Sequence, residues 1–308
     1  MQVLAPHVWP RWYRGALVVL AMTFLPSGSL ASQDTPPARS RPQLYWGVDV
    51  GVAALSGFVQ GRQHGVSAVR ALVGGLIGGS GMYLGQRMVG TGSPCLRFAG
   101  LQTVAAGASI ARNLGTGQSP FAVMTFPVFP LYVQYRPGAA HHLSVRVSVA
   151  GVGGIVRTAH EYGVWPSWQE SLLAGMPVFA VSESTLGGCP AYTPRVGCSE
   201  AVVGHHLMGA IAYSARPEHF TARNVLTHEL GHAAQDVRDV VLHAVPASDF
   251  VLGSDPIGRF LARFVVLDFV LPLDVLSHAA GPPRGDPACR EASSFYECET
   301  EAMMPQLE

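Results

Sequence analysis

The sequence predicts an α+β fold: a glycine-rich helical segment, then a small, mostly antiparallel sheet and one helix that carries paired histidines. Three observations predict it. Residues 48–114 are apolar and glycine-rich, with no alternating pattern. From Phe121 the hydrophobic period switches to two, the period of a half-buried strand. The stretch "NVLTHELGHAAQD" (224–236) then sets His228 and His232 four residues apart, with Glu229 beside the first.

Composition bounds the answer. The chain has 308 residues, 48% hydrophobic and 13% charged, enough for one large domain or two modest ones with a sizeable core. Its 35 glycines and 23 prolines show no period, which excludes a collagen-like chain. All 20 basic residues are arginine, a bias that coding composition explains more simply than function.

The N-terminus reads as an export signal. Arg11 and Arg14 precede the apolar run "GALVVLAMTFL", and Ser29-Leu30-Ala31 fits a small-residue cleavage site. Residues 1–31 are therefore expected to be a signal peptide, and the polar, proline-rich residues 32–43 a linker. Residues 44–117 form the glycine-rich basic segment, and residues 118–308 the domain with the histidine motif. Export places the chain in a periplasm, cell envelope or extracellular space, where disulfides persist. Cys189 and Cys198 bracket a turn-rich loop suited to a local disulfide. Cys289 and Cys298 share that spacing, but in one helix they would stand about 13 Å apart, too far to bond. Cys95 is left over, and no pair has C-x-x-C zinc spacing.

Charge divides the chain. Between Asp49 and Glu161 there is no acid, while Arg62, Arg70, Arg87, Arg97, Arg112, Arg136, Arg146 and Arg157 lie in that stretch. Net neutrality thus conceals a basic front half and an acidic back half. For an exported chain, the anionic partner expected is a membrane surface; nucleic acid is not.

Within the front half, "ALVGGLIGGSGMYLG" (71–85) carries no charge, and Gly74/Gly78 and Gly81/Gly85 have G-x-x-x-G spacing. Such faces let helices approach closely, in membranes especially. Fifteen residues fall short of the roughly 20 that span a bilayer, so a close helical hairpin with residues 96–115 and a membrane-associated segment are both open. Strands follow at 130–137, at 143–149 where Leu143, Val145, Val147 and Val149 alternate with polar residues, at 176–182, and at 206–214. His141, His142, His205 and His206 are expected in turns and strands.

Positions i and i+4 share a helix face, so His228 and His232 can direct two imidazoles at one point. Zinc accepts such nitrogens at about 2.0–2.1 Å. Glu229 is offset by one position, which suits a general base toward a metal-bound water. Chance alone gives H-E-x-x-H about 0.02 times in a chain of this composition. Thr221 is an N-cap residue type ahead of the helix. Gly231 is unfavourable inside a helix and suits a crowded site.

"THELGHAAQ", with the strand-like "GAIAYS" ahead of it, resembles the active-site helix of zinc metallopeptidases of the zincin class. The resemblance covers residues 206–236. It implies a zincin-like fold for 118–308, Zn2+ as cofactor, His228 and His232 as ligands, Glu229 as catalytic base, and a peptide or protein as substrate. It also implies that the strand at 210–213 pairs with the extended peptide. The third ligand sets the subclass. Metzincins need histidine at position 238, which is arginine. Gluzincins use a glutamate from a later helix, often in E-x-x-A-D. Glu299-Thr300-Glu301-Ala302 matches E-x-x-A, with Met303 where aspartate would stand. The resemblance thus implies Glu299 as third metal ligand, with Glu297 and Glu301 as alternatives, and Ala302 at the contact with the motif helix. His243 and Asp236 are the fallback. The apolar run 257–280, with Asp268 and Asp274 inside it, reads as a buried or interfacial helix kinked at Pro272. Tyr213, His278 and Tyr296 are candidates to stabilise an oxyanion. A second class stays open: an envelope scaffold with a structural or vestigial zinc site.

Overall fold

Glycines set the geometry of the first half. The structure, a computed structural model, describes residues 42–91, 93–128, 130–181, 204–207, 210–214, 222–253, 255–268 and 299–300. Three helices come first: α1 (Pro42–Gln63), α2 (Ala68–Val89) and α3 (Pro94–Gly115). Ser67 caps α2 by accepting from the Arg70 N–H, and Pro94 opens α3 where a missing N–H costs nothing. α2 packs closely on α3, as the glycine spacing predicts, and α1 packs on another face of it. A Cβ on Gly78 would lie 2.5 Å from the Gly107 carbonyl oxygen of α3. A Cβ on Gly79 would lie 2.5 Å from Val50 Cα of α1. Glycine on two faces lets both neighbours approach backbone to backbone, and it turns the large residues outward: Leu72, Leu76, Ile77 and Leu84 are exposed. No helix among the described residues is long and apolar enough to cross a membrane.

Next comes a four-stranded sheet whose strands, in spatial order, are Met124–Val128, Leu131–Tyr135, Leu143–Ser148 and Val265–Val266. β1 (Met124–Val128), β2 (Leu131–Tyr135) and β3 (Leu143–Ser148) pair antiparallel, Met124 opposite Tyr135 and Leu131 opposite Val147. β3 stops one residue before the expected end. Ser148 is the N-cap of α4 (Val149–Tyr162), its Oγ accepting from the Gly151 N–H at 2.7 Å. After α5 (Trp168–Ala174), a second sheet runs β4-β6-β5.

Three expectations are corrected here. Residues 206–214 are not one strand: β5 (Gly204–Leu207) and β6 (Ala210–Ser214) form an antiparallel hairpin. β6 is also not an edge, because β4 (Val178–Val181) pairs with it in parallel on its other side. Both of its ladders are filled, and the outer strand beside it is β5. The run from 257 is not one long helix either. α8 (Pro256–Leu261) is short, and Val265–Val266 form β7, parallel to β3. The reason is Asp268. Its buried carboxylate accepts from the Ala150 N–H (2.9 Å) and the Ser148 hydroxyl, fastening this segment to the start of α4. Burial raises its pKa, and those bonds oppose the rise. Pro272 lies outside the described residues.

The motif helix, α6 (Ala222–Asp239), runs on through a π-turn (Val240–Ala244) into α7 (Val245–Leu252). Pro246 explains the irregular turn. It has no N–H for the Leu242 carbonyl, four residues back, so that oxygen needs another donor. Gln60 of α1 supplies one at 2.8 Å, with Ser56 at 3.4 Å. π-turns inside α-helices concentrate near functional sites. Leu230, Ala233, Val237 and Val241 then share one apolar core with Ala53, Met82, Leu101 and Val104. The glycine-rich helices thus form the floor beneath the motif.

Candidate functional site

α6 is buried almost all round, and that decides what its polar residues can do. Thr227, Glu229, Leu230, Ala233, Ala234, Gln235, Val237 and Arg238 are buried, while His228, Gly231, His232 and Asp236 are only partly covered. Among the described residues of α6, the histidines therefore lie on a less covered stripe. Their Nε2 atoms stand 3.3 Å apart, with ring planes near perpendicular at 79°. Two nitrogens each about 2.0–2.1 Å from one tetrahedral metal ion are about 3.3–3.4 Å apart. The separation is that of a ring-to-ring hydrogen bond, and it equally fits two ligands of one zinc. Glu229 follows His228 directly, its carboxyl buried at the same level of the helix.

The C-terminal turn packs on the neighbouring stripe. Residues 227, 231 and 235 line a small cleft with Gln86, Gly90, Glu299 and Thr300. Gly231 is explained by that contact: a Cβ there would lie 2.4 Å from Thr300 Cγ2. The residue at the close approach is Thr300; Ala302, expected there, lies outside the described residues.

Glu299 is fully buried beside α6, and its oxygens are engaged. Oε2 accepts from Gln235 Nε2 at 2.8 Å, and Oε1 accepts from Arg238 Nη1 at 3.1 Å. Gln235 Oε1 in turn faces His232 Nδ1 at 3.0 Å. Glu299 is thus one glutamine removed from the histidine pair. Among the described residues no three His, Cys, Asp or Glu side chains converge as a metal-holding group. Glu297, Glu301, His278 and Tyr296 lie outside the described residues, as do Cys189, Cys198, Cys289 and Cys298. Cys95 is an exposed free thiol. Tyr213 Oη donates to Glu170 Oε1 at 2.6 Å, and burial, with that bond second, raises its pKa.

Arg238, considered in the sequence only as the residue that replaces a third histidine, is the hub of the buried region. It is 1% exposed and pairs with Asp49 of α1 (2.8 Å), Asp239 (3.1 Å) and Glu299 (3.1 Å). Gln86, its amide turned so that both contacts are satisfied, donates to Asp49 Oδ2 (2.9 Å) and accepts from Arg238 Nη1 (3.3 Å). One cation serves three carboxylates, so it cannot offset the burial of each. Asp49 is pushed up to about 8, by burial first, with Glu299 and Asp239 adding to the rise and Arg238 opposing it. A second buried arginine, Arg97 of α3, donates to the hydroxyl of Thr227, the residue before His228. The sequence held one signal for the hub: Asp49 is the single acid in residues 42–160, set within an apolar helix.

No family model matches the chain, no curated protein matches it, and no solved structure matches it.

Proposed function

We propose that the chain is an exported zinc-dependent metallopeptidase, zincin-like in residues 118–308, that hydrolyses peptide bonds with a zinc-activated water. The observation that carries the reading is the 3.3 Å separation of His228 Nε2 and His232 Nε2 on the less covered stripe of α6. His228 and His232 would hold Zn2+, which when bound lowers the pKa of its water and polarises the scissile carbonyl. Glu229 would serve as the base that accepts a proton from that water and passes it to the leaving amine. The surrounding burial keeps that carboxylate out of bulk solvent. An extended peptide finds its template in β5, the outer strand of the second sheet among the described residues, by adding a strand along that edge. Glu299, Glu297 and Glu301 are the acids the resemblance offers as third ligand. For Glu299 to serve, it must exchange its Gln235 contact for the metal.

An anionic membrane surface belongs to the same proposal. On α2, Leu72, Leu76, Ile77 and Leu84 point outward, and Arg70 and Arg87 lie near the two ends of that face. An apolar face rimmed by arginine suits a leaflet with acidic head groups.

A second reading has its own observation. Both Glu299 oxygens are held by Arg238 and Gln235, which favours an envelope scaffold with a structural or vestigial zinc site. Zinc content and peptidase activity distinguish the two. The enzyme reading expects close to one zinc per chain, lost in His228→Ala and in His232→Ala. It also expects cleavage of a peptide library that Glu229→Gln abolishes while keeping the metal. Zinc retained at full occupancy in either histidine variant removes the ligand assignment. Zinc binding without cleavage by the wild-type chain selects the scaffold.

A further inference from the structure

We infer that Arg238, Glu299 and Gln235 form a one-way hydrogen-bond relay that fixes the tautomer of His232, so that its Nε2 lone pair faces the metal position. The inference rests on the reading of His228 and His232 as ligands, and it makes Gln235 and Glu299 positioning residues.

The direction of each bond follows from the one before it. Arg238 has donors only. Its Nη1 donates to Glu299 Oε1 at 3.1 Å and Oε2 at 3.3 Å, so both oxygens accept there. Gln235, facing Glu299 Oε2 at 2.8 Å, must therefore present its NH2 group there. An amide has one oxygen and one nitrogen, so the other end, 3.0 Å from His232 Nδ1, is the oxygen. Oxygen only accepts, and His232 must carry its proton on Nδ1. A neutral imidazole has one ring proton, which leaves Nε2 bare. That is the atom 3.3 Å from His228 Nε2. Free imidazole side chains favour the opposite form, with the proton on Nε2, which cannot bind metal at that atom. The relay reverses this preference before any metal arrives. All three relay residues are buried, so water does not compete for these contacts.

The relay also gives a reason for an acid at 299 that does not require it to touch the metal. If Glu299 were a neutral glutamine, its NH2 would have to face either Arg238 or the NH2 of Gln235. Either arrangement sets donor against donor. Turning Gln235 relieves the clash but delivers a donor to His232 Nδ1, and the tautomer reverses.

The test uses two readouts on the full mature chain. The first is 15N NMR of the ring nitrogens in metal-free protein, at a pH where the imidazoles are neutral. His232 is expected with a protonated Nδ1 and a pyridine-type Nε2. The second is zinc affinity of Glu299→Gln, Gln235→Glu and the double variant. Glu299→Gln mismatches the chain of donors, and Gln235→Glu sets two carboxylates against each other. Each is expected to weaken zinc binding by about 10–100-fold, the usual range for partners of a ligating histidine, and the double variant is expected within about threefold of wild type. The double variant keeps the polarity: position 299 accepts from Arg238 and donates to position 235, which accepts from His232.

A protonated Nε2 in the wild-type chain overturns the relay, whatever the zinc affinity. A double variant as weak as Glu299→Gln also overturns it and makes Glu299 a direct ligand. If the tautomer is as expected and the wild-type chain binds no zinc, the relay stands and the metal reading fails.

Discussion

Replacing Gly231 by alanine isolates the contact between the motif helix and the C-terminal turn. Two effects of opposite sign meet at this position. Alanine in a helix interior is favoured over glycine by about 1 kcal/mol. Against that, the new Cβ would lie 2.4 Å from Thr300 Cγ2, where ordinary contact begins at 3.4 Å, so the threonine must move by 1.0 Å. Thr300 is 2% exposed. Overpacking of this kind costs about 1–3 kcal/mol. The net expectation for Gly231→Ala is a loss of about 0–2 kcal/mol. Thr300→Ala removes the methyl in conflict and leaves a Cβ at 3.3 Å, which needs to give by only a few tenths of an ångström. It also removes a buried hydroxyl with no hydrogen-bond partner among the described residues. In the Thr300→Ala background, Gly231→Ala should therefore cost nothing or stabilise. Urea unfolding of the wild type, both single variants and the double variant closes the cycle, with a coupling of at least about 1 kcal/mol expected. If Gly231→Ala stabilises equally in both backgrounds, the C-terminal turn does not rest on this stripe, and the reasoning about Glu299 falls with it.

Three further outcomes follow from the same geometry. Burial pushes the Asp49 carboxyl from 3.8 up to about 8 against the opposing Arg238 contact; wild-type stability is therefore expected to fall, relative to Asp49→Asn, as pH rises across that window, by up to about 1.4 kcal/mol per unit. Unfolding titrations of the two chains that run parallel from pH 4 to pH 8 would show that Arg238 outweighs burial. Gly78→Ala puts a methyl 2.5 Å from the Gly107 carbonyl oxygen and should lower stability despite alanine's helix preference, measured by thermal or urea unfolding. The mature chain should bind vesicles containing acidic lipid, with salt releasing part of it by screening, and Leu76→Asp on the outer face of α2 should reduce binding; equal affinity for neutral and acidic vesicles removes the arginine contribution.

Local periodicity carried the parts of the fold that depend on neighbours in sequence. The switch at Phe121 and the i, i+4 placement of His228 and His232 are such features; the strand at Leu143–Ser148 was legible too, but its faces are reversed, with Leu143, Val145 and Val147 exposed and Arg146 and Ser148 buried against Asp249 and Asp268. What escaped depends on distant partners. Nothing near residues 206–214 says that β4 takes the second ladder of β6, so the strand read as an edge sits in the middle of its sheet. The spacing of Gly74 and Gly78 revealed one face of α2, but α1 claims Gly75 and Gly79 on another. Glu299 was legible as an acid in a helical E-x-x-A pattern, and it does lie against α6. Its partner Arg238 was not legible, because the pairing with Asp49 spans 189 residues.

The identity of residue 238 ties these points together. Arginine here ends no metal site; it joins α1, α6 and the C-terminal turn through Nε and Nη1 at once. A lysine, with one nitrogen on a flexible stem, could not reach Asp239 from one atom and Asp49 and Glu299 from another. Three carboxylates around one buried cation are a poor arrangement for stability, since desolvation exceeds what a shared partner returns. An apolar cluster in this place would pack the same helices at lower cost, but it would leave Gln235 free to turn either end toward His232. The charged hub removes that freedom, because a donor that is always charged dictates every bond downstream of it. On the relay inferred above, the expense of burying Arg238 is then the cost of holding His232 in one tautomer.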